Sequence, residues 1–124
     1  MLELIQRASL HAARTAFRSD AGETTYSHLL QRSAALAGAL LGDASDLAEE
    51  RIAFLVAAGE DYAALQWGIW RAGGVAVPLN RGAAAGELLH VLRSAGVLRL
   101  VADVASPVLI EACAQAGTEI LVLA

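Results

Sequence analysis

The sequence of 124 residues contains no lysine, because all 9 of its basic residues are arginines. A phosphate-binding loop of the Walker type, a Schiff base and a lysine general base each need a lysine side chain. The residues of this chain therefore cannot supply any of these three chemistries.

Cysteine is almost as scarce, since Cys113 is the only one. A single cysteine excludes an internal disulfide and a cysteine-based zinc site, and it suits a reducing compartment. It falls on the inward face of a predicted helix, where a buried thiol is more common than a nucleophile. His11, His28 and His90 lie on three separate segments without metal-ligand spacing. We therefore predict no catalytic residue and no metal site.

Long apolar runs are also missing. No run reaches the roughly 20 residues that a membrane-spanning helix needs, although 56% of the residues are hydrophobic and the mean hydropathy is +0.51. Either the interior is unusually apolar or some apolar surface faces more protein. The net charge of -4 is spread over interspersed acidic and basic residues, so we predict no nucleic-acid partner.

The central stretch, residues 51–80, has the pattern strand, helix, strand. Its first strand, residues 51–56, is a nearly unbroken apolar run typical of a parallel strand buried on both faces. Glu60 and Asp61 then place negative charge in the first turn of a helix, where the helix dipole favours it. Two glycines end this helix, and residues 75–79 form the next strand. This is the parallel crossover unit of an α/β protein.

The segments on either side extend this pattern. Before it, we predict a helix over residues 2–14, a hairpin of 15–18 with 23–26, and a helix capped by Thr25 that ends at Gly42. After it, the predicted elements are a helix over 84–95, a strand over 97–102, a helix from Ser106-Pro107 to Gly117 with Val108 facing inward, and a strand over 119–123. The sequence therefore predicts an α/β fold, a parallel doubly wound sheet of about four strands with flanking helices, preceded by an N-terminal helix and a β-hairpin.

The loop Asn80-Arg81-Gly82 is the best candidate site. It leaves the carboxyl end of a predicted parallel strand, which is the edge where open α/β sheets bind ligands. It offers an amide, a guanidinium and a backbone that a ligand can approach closely. The other interpretation, a solvated loop charge at Arg81, is the more common case on the residues alone.

Several runs of the sequence resemble the N-terminal region of the acyl-activating superfamily, which comprises acyl-CoA synthetases, adenylation domains and luciferases. The landmarks are the helix start TTYSHLL, the run RAGGVAVPLN and the following helix GELLHVLRSAG. The pieces DLAEERIAFL, ALQW and GGVAVPL are most similar to the malonyl- and methylmalonyl-CoA synthetase branch. The sequence departs from the family at His28, where an acidic residue is usual.

The resemblance implies that the chain is the N-terminal part of the large AMP-binding domain, with residues 1–42 before a core of residues 51–124. The whole enzyme would activate a carboxylic acid, malonate-type by preference, with ATP and pass the acyl group to CoA. The family's lysine-ended phosphate loop, nucleotide motifs and C-terminal lid lie downstream, so this truncated fragment alone is expected to be inactive. ATP, CoA and Mg²⁺ belong to the whole enzyme, and none is expected to bind this chain tightly.

By the same resemblance, Asn80, Arg81 and Gly82 would lie near the CoA nucleotide. The implied partner is the remainder of the synthetase, and the apolar composition also predicts self-association. Two other interpretations stay open: a short noncatalytic scaffold or interaction module derived from this fold, and a small stand-alone nucleotide-binding domain. All-arginine, alanine-rich usage favours a bacterial cytoplasmic protein, and a mitochondrial location also stays open.

Overall fold

A computed structural model describes residues 2–123 of the chain as a two-stranded antiparallel sheet, a four-stranded parallel sheet and five α-helices. In chain order the elements are α1 (Glu3–Ala8), a 3₁₀ turn (Ser9–His11), β1 (Thr15–Ser19), β2 (Gly22–Thr25), α2 (Tyr26–Leu41), β3 (Arg51–Leu55), α3 (Glu60–Arg71), β4 (Val75–Pro78), α4 (Ala85–Ser94), β5 (Arg99–Ala102), α5 (Pro107–Ala116) and β6 (Glu119–Val122). The predicted fold class is confirmed. None of the helices within residues 2–123 is long and apolar enough to cross a membrane.

The chain divides into two compact units. The first comprises Met1–Ala48 and Ala58–Gly74, and the second comprises Glu49–Ala57 and Val75–Ala124. Helix α3 follows β3 in the sequence, yet it belongs to the first unit together with α2.

Helix α1 is shorter than the predicted helix over residues 2–14. The hydroxyl of Ser9 donates to the carbonyl of Gln6 at 2.6 Å, and the chain tightens there into a 3₁₀ turn. The carbonyls of Ala12 and Arg14 then accept hydrogen bonds from the backbone N–H groups of Ser27 and Tyr26. These two bonds join the segment before β1 to the start of α2.

Helix α2 begins where the sequence predicts. The hydroxyl of Thr25 accepts a hydrogen bond from the backbone N–H of His28 at 3.2 Å, and Gly42 follows the last helical residue at a positive φ of 57°. The side chain of His28 does not complete a capping box. Its Nε2 instead contacts a carboxylate oxygen of Glu60 at 2.8 Å, at the start of α3.

Helices α2 and α3 pack very closely at Gly68. A Cβ atom built on this glycine would lie 3.0 Å from the Cβ of Leu36 and 3.0 Å from the carbonyl oxygen of Ser33.

The same pair of helices also encloses a buried polar group, the hydroxyl of Ser33. The Arg71 guanidinium donates to this hydroxyl at 2.9 Å and to the Leu30 carbonyl at 2.8 Å. The fully buried hydroxyl of Ser33 thereby has its partner, as buried polar groups require.

The second unit is built on the parallel sheet, whose strand order is β4-β3-β5-β6. In the register of this sheet, Phe54 of β3 lies between Pro78 of β4 and Val101 of β5. The chain passes from β3 to one neighbour, β4, and then returns to the other side of β3 to form β5. This reversal between β3 and β5 is the topological switch of a doubly wound sheet.

In the sequence, three predicted helices end at an Ala-Gly pair, at residues 72–73, 95–96 and 116–117, and all three pairs form the same structure. Gly73, Gly96 and Gly117 have positive φ angles of 86°, 64° and 72°, a conformation that glycine adopts without steric cost. In each case the next backbone N–H donates to a carbonyl five residues earlier, and the three bonds are Gly74 to Ile69, Val97 to Leu92, and Thr118 to Cys113. Because residues 96 and 97 close the end of α4, strand β5 begins at Arg99 and not at the predicted residue 97.

Helices α4 and α5 bury one face each in the core of this unit. Leu88 and Leu92 of α4 join Leu109 and Cys113 of α5 in one apolar cluster with Leu100 of the sheet. The prediction that Val108 faces inward is wrong, because Val108 is exposed. It lies in the first turn of α5 at the edge of the stripe that Leu109 and Cys113 define.

Candidate functional site

The loop Asn80-Arg81-Gly82 follows β4 and forms a tight turn. The side-chain oxygen of Asn80 accepts a hydrogen bond from the backbone N–H of Gly82 at 2.9 Å. The carbonyl of Asn80 accepts another from the backbone N–H of Ala83 at 3.1 Å. The Asn80 carboxamide oxygen and the Gly82 N–H are thus engaged in holding the turn. Of the three predicted residues, Arg81 is the one whose side chain projects as a charged group.

Arg81 forms an ion pair with Asp103, a residue that was not among the predicted site residues. Its Nη1 lies 2.9 Å and 3.2 Å from the two carboxylate oxygens of Asp103, the residue directly after β5. The side chains of Arg81 and Asp103 are 51% and 30% exposed, so water reaches the pair and weakens it. No described residue accepts a hydrogen bond from the Nε or Nη2 of Arg81, whose side chain is exposed.

Asp103 also binds the backbone at the end of β3. The N–H of Ala57 donates to its Oδ2 at 3.0 Å. This backbone hydrogen bond is the largest cause of the lowered pKa of Asp103, and the Arg81 guanidinium adds to it, whereas desolvation acts against both. One carboxylate therefore joins the loops that follow β3, β4 and β5, at the switch point of the sheet.

A cavity of about 230 Å³ opens beside this pair and is lined by Leu55, Arg81, Asp103, Val104 and Ser106. The Ser106 hydroxyl accepts a hydrogen bond from the backbone N–H of Leu109 at 3.2 Å, so it caps α5 and is not poised as a nucleophile. The cavity offers a guanidinium for an anion and a carboxylate for a cation or hydroxyl group. Its chemistry is that of binding and not of covalent catalysis.

Three other side chains that could have carried chemistry, those of Cys113, Glu60 and Asp61, are buried or engaged in contacts within the protein. Cys113 is buried, and burial raises the pKa of its thiol, which disfavours the thiolate that a nucleophile needs. The carboxylate of Glu60 accepts hydrogen bonds from Thr24 and His28, while Asp61 pairs with Arg32. Within residues 2–123 no group of three or more His, Cys, Asp or Glu side chains is arranged to hold a metal ion.

A larger cavity of about 470 Å³ lies in the first unit, between α2, the end of α3 and the connector that follows α2, to which Ser45 and Asp46 belong. Alanine and glycine make up half of its lining. The charged side chains there are already bound, since Arg71 donates to Ser33 and Leu30, and Asp46 accepts from the backbone N–H of Ala48 at 2.7 Å. This cavity therefore presents little chemistry to a ligand.

Sequence reasoning missed Asp103, although one signal was available. A polar residue directly after a predicted parallel strand lies at the ligand-binding edge of the sheet, and the rule that selected Arg81 after β4 selects Asp103 after β5. The pairing of the two side chains depended on strand order, which chain order does not reveal.

Comparisons with known proteins agree on one family. Residues 4–123 match the family of AMP-binding enzymes. The mitochondrial malonate–CoA ligase of Xenopus laevis is 35% identical over 107 residues, which are 83% of this chain and 18% of that protein. A benzoate CoA ligase from Burkholderia xenovorans LB400 has the same fold with a TM-score of 0.75 and 26% identity, over 98% of this chain and 25% of that chain. ATP-bound MatB from Rhodopseudomonas palustris shares the fold with a TM-score of 0.78 and 22% identity, over 94% of this chain and 24% of that chain.

The chain thus spans a minor part of the length of each of these relatives. The match to the family nonetheless covers all but a few residues of this chain, and it includes every helix and strand described above except Glu3, the first residue of α1. This chain belongs to the family of AMP-binding enzymes.

Proposed function

We propose that this chain is the N-terminal part of an AMP-forming acyl-CoA ligase. Such an enzyme activates a carboxylic acid with ATP to an acyl-adenylate and then transfers the acyl group to CoA. The observation that supports this most directly is the 35% identity to the Xenopus malonate–CoA ligase over 83% of this chain. The same identity favours a malonate-type substrate.

In this proposal the chain has a structural and not a catalytic role. It has no lysine, and its single cysteine is buried with a raised thiol pKa, which disfavours the nucleophilic thiolate. The adenylate-forming chemistry, with ATP and Mg²⁺, would be carried by the remainder of the synthetase, which is the partner we propose for this chain. The arginine- and alanine-rich composition favours a bacterial cytoplasmic enzyme.

The assay is made on the complete gene product that contains this chain. With ATP and CoA present, we expect AMP release to depend on malonate and the acyl-CoA thioester to form in equal amount. Acetate and benzoate serve as competing carboxylates, and the 124-residue chain alone serves as the inactive control. If no carboxylate supports AMP release, a noncatalytic scaffold or interaction module becomes the better description. If another acid is preferred, only the malonate assignment falls.

We further propose that the loop of Asn80, Arg81 and Gly82 lies beside bound CoA, with Arg81 contacting a phosphate. The exposed donors of Arg81 and the cavity beside Asp103 support this position. In the complete enzyme, Arg81→Gln should raise KM for CoA by about tenfold, the size of a lost charged hydrogen bond. KM for ATP should stay unchanged.

The matched control is Arg93→Gln, which removes the same charge from an exposed position on α4. If Arg81→Gln and Arg93→Gln have equal KM values for CoA, the proposal that Arg81 contacts CoA is wrong. That result would leave the ligase assignment itself intact, because AMP release is measured separately.

A further inference from the structure

A second cavity, of about 260 Å³, lies in the first unit between α1, the 3₁₀ turn and the starts of β1 and α2. Three side chains capable of positive charge line it, namely Arg7, His11 and Arg14. The rest of the lining is apolar or aromatic and consists of Leu4, Ala8, Tyr26 and Trp67. No acidic side chain is among these lining residues.

No carboxylate within residues 2–123 forms an ion pair with the two arginines of this basic cavity. The arginines that form ion pairs within residues 2–123 are Arg18, Arg32, Arg81 and Arg99. Glu3 precedes Arg7 by one helical turn, yet no described carboxylate forms an ion pair with Arg7 or Arg14. In a chain of net charge -4, two unpaired guanidiniums on one concavity create a local positive field that attracts anions.

The walls of the basic cavity are held in place. Ile5 and Ala8 bury the inner face of α1. The backbone N–H of Arg14 donates to the carbonyl of His11 at 2.9 Å, and the carbonyl of Arg14 accepts from the N–H of Tyr26 at 3.0 Å. These bonds fix the backbone at His11 and Arg14. A ligand would therefore have little backbone to order when it binds.

We infer that the basic cavity binds the phosphate group of a small organic phosphate ester. Guanidinium groups hold phosphate oxygens through paired N–H donors, and two of them satisfy a dianion better than a carboxylate. The volume lies below the roughly 300–1,000 Å³ of pockets for drug-sized ligands, so it accommodates a phosphate with about one ring. The half-buried Tyr26 supplies an apolar surface for that ring, and the buried Trp67 forms part of the wall behind it.

The test is isothermal titration calorimetry of the complete protein with phenyl phosphate. We expect Arg7→Gln and Arg14→Gln each to weaken binding by about tenfold, and the double variant to abolish binding at this cavity. Arg14→Lys keeps the charge without the guanidinium fork and should retain part of the affinity. The matched control is Arg18→Gln, an exposed arginine of the same unit that lies outside the cavity and should bind like the parent. Unchanged binding by the double variant, or no binding by the parent protein, overturns the inference.

Three further titrations identify the bound group. Phenol should not bind at the basic cavity, and binding as tight as that of phenyl phosphate would overturn the inference. Inorganic phosphate should bind more weakly than phenyl phosphate if the aromatic surface contributes, and equal affinity would identify free phosphate as the ligand. Leu2, Leu4 and Leu10 are exposed on the same N-terminal segment as the arginines, so the last titration uses phosphatidylglycerol vesicles. Vesicle binding through Arg7 and Arg14 without phenyl phosphate binding would replace the small ligand by a membrane surface.

Discussion

At the scale of single residues, Asp103 connects more of the candidate site than any residue singled out from the sequence. It accepts from the Ala57 backbone, 46 positions away in the chain, and from Arg81, 22 positions away. Both interactions favour the charged carboxylate and lower its pKa. The same hydrogen bonds that shape the cavity should therefore make stability depend on pH.

We predict that the stabilising effect of Asp103 is lost in acid. Because its pKa in the folded state is below the ordinary value of 3.8, the contribution is fully present above that value and disappears as the pH falls through the lower folded-state pKa. At pH 7, Asp103→Asn should lower the free energy of unfolding by up to about 1 kcal/mol, since the ion pair is solvent-screened. Urea unfolding at pH 7 and near pH 3 measures the difference between variant and parent.

The control for this prediction is Asp43→Asn, an exposed aspartate in the connector after α2. It should show little difference from the parent at either pH. If Asp103→Asn loses as much stability near pH 3 as at pH 7, the prediction is wrong. The loss would then come from the changed shape of the side chain and not from its lost charge.

At the scale of elements, the close packing of α2 and α3 depends on glycine. A methyl group added at Gly68 would lie 3.0 Å from the Ser33 carbonyl oxygen and 3.0 Å from the Cβ of Leu36, which is tight enough that α2 would have to shift. Helix propensity alone would favour alanine at this position. Tertiary contact thus overrides local preference here, and the sequence pattern did not reveal it.

We predict opposite effects of the same substitution at two glycines in this helix pair. Gly68→Ala should lower the free energy of unfolding by about 1–3 kcal/mol, because the helices must separate. Gly38→Ala in α2 should raise it by about 0.5–1 kcal/mol, because a Cβ there meets nothing within 4 Å. Thermal and urea unfolding of both variants provide the measurement. Stabilisation by Gly68→Ala would mean that α2 and α3 are farther apart than described.

At the scale of the whole molecule, the second unit exposes a considerable apolar surface. Val104, Ile110 and Val122 are 63%, 50% and 60% exposed. Among the described strands, β4 and β6 are the two edges of the parallel sheet. Pro78 removes a backbone donor from the β4 edge, whereas β6 carries no proline. The self-association expected from the composition is therefore best placed at β6 and α5.

We predict that the 124-residue chain forms dimers or larger species at high concentration. Val122→Lys and Ile110→Glu should shift sedimentation velocity profiles toward the monomer, because each places a charge in apolar surface. Gln115→Lys is the matched control, since it adds a charge at an exposed polar position of α5 and should change little. A parent chain that remains monomeric at high concentration would show that this surface does not drive association.

The sequence by itself determined the order and type of the elements. Strand and helix periodicity, the Thr25 and Ser106 caps and the Ala-Gly helix stops are local signals that act over a few residues, and all of them are present in the structure. Resemblance to known sequences determined the family. Only the tertiary structure decided the strand order, and with it the meeting of Arg81 with Asp103. It also decided the contact of Gly68 with α2 and the cavity shared by Arg7, Arg14 and Tyr26. These features join residues distant along the chain, and their energies depend on which surfaces pack together, so no local pattern could specify them.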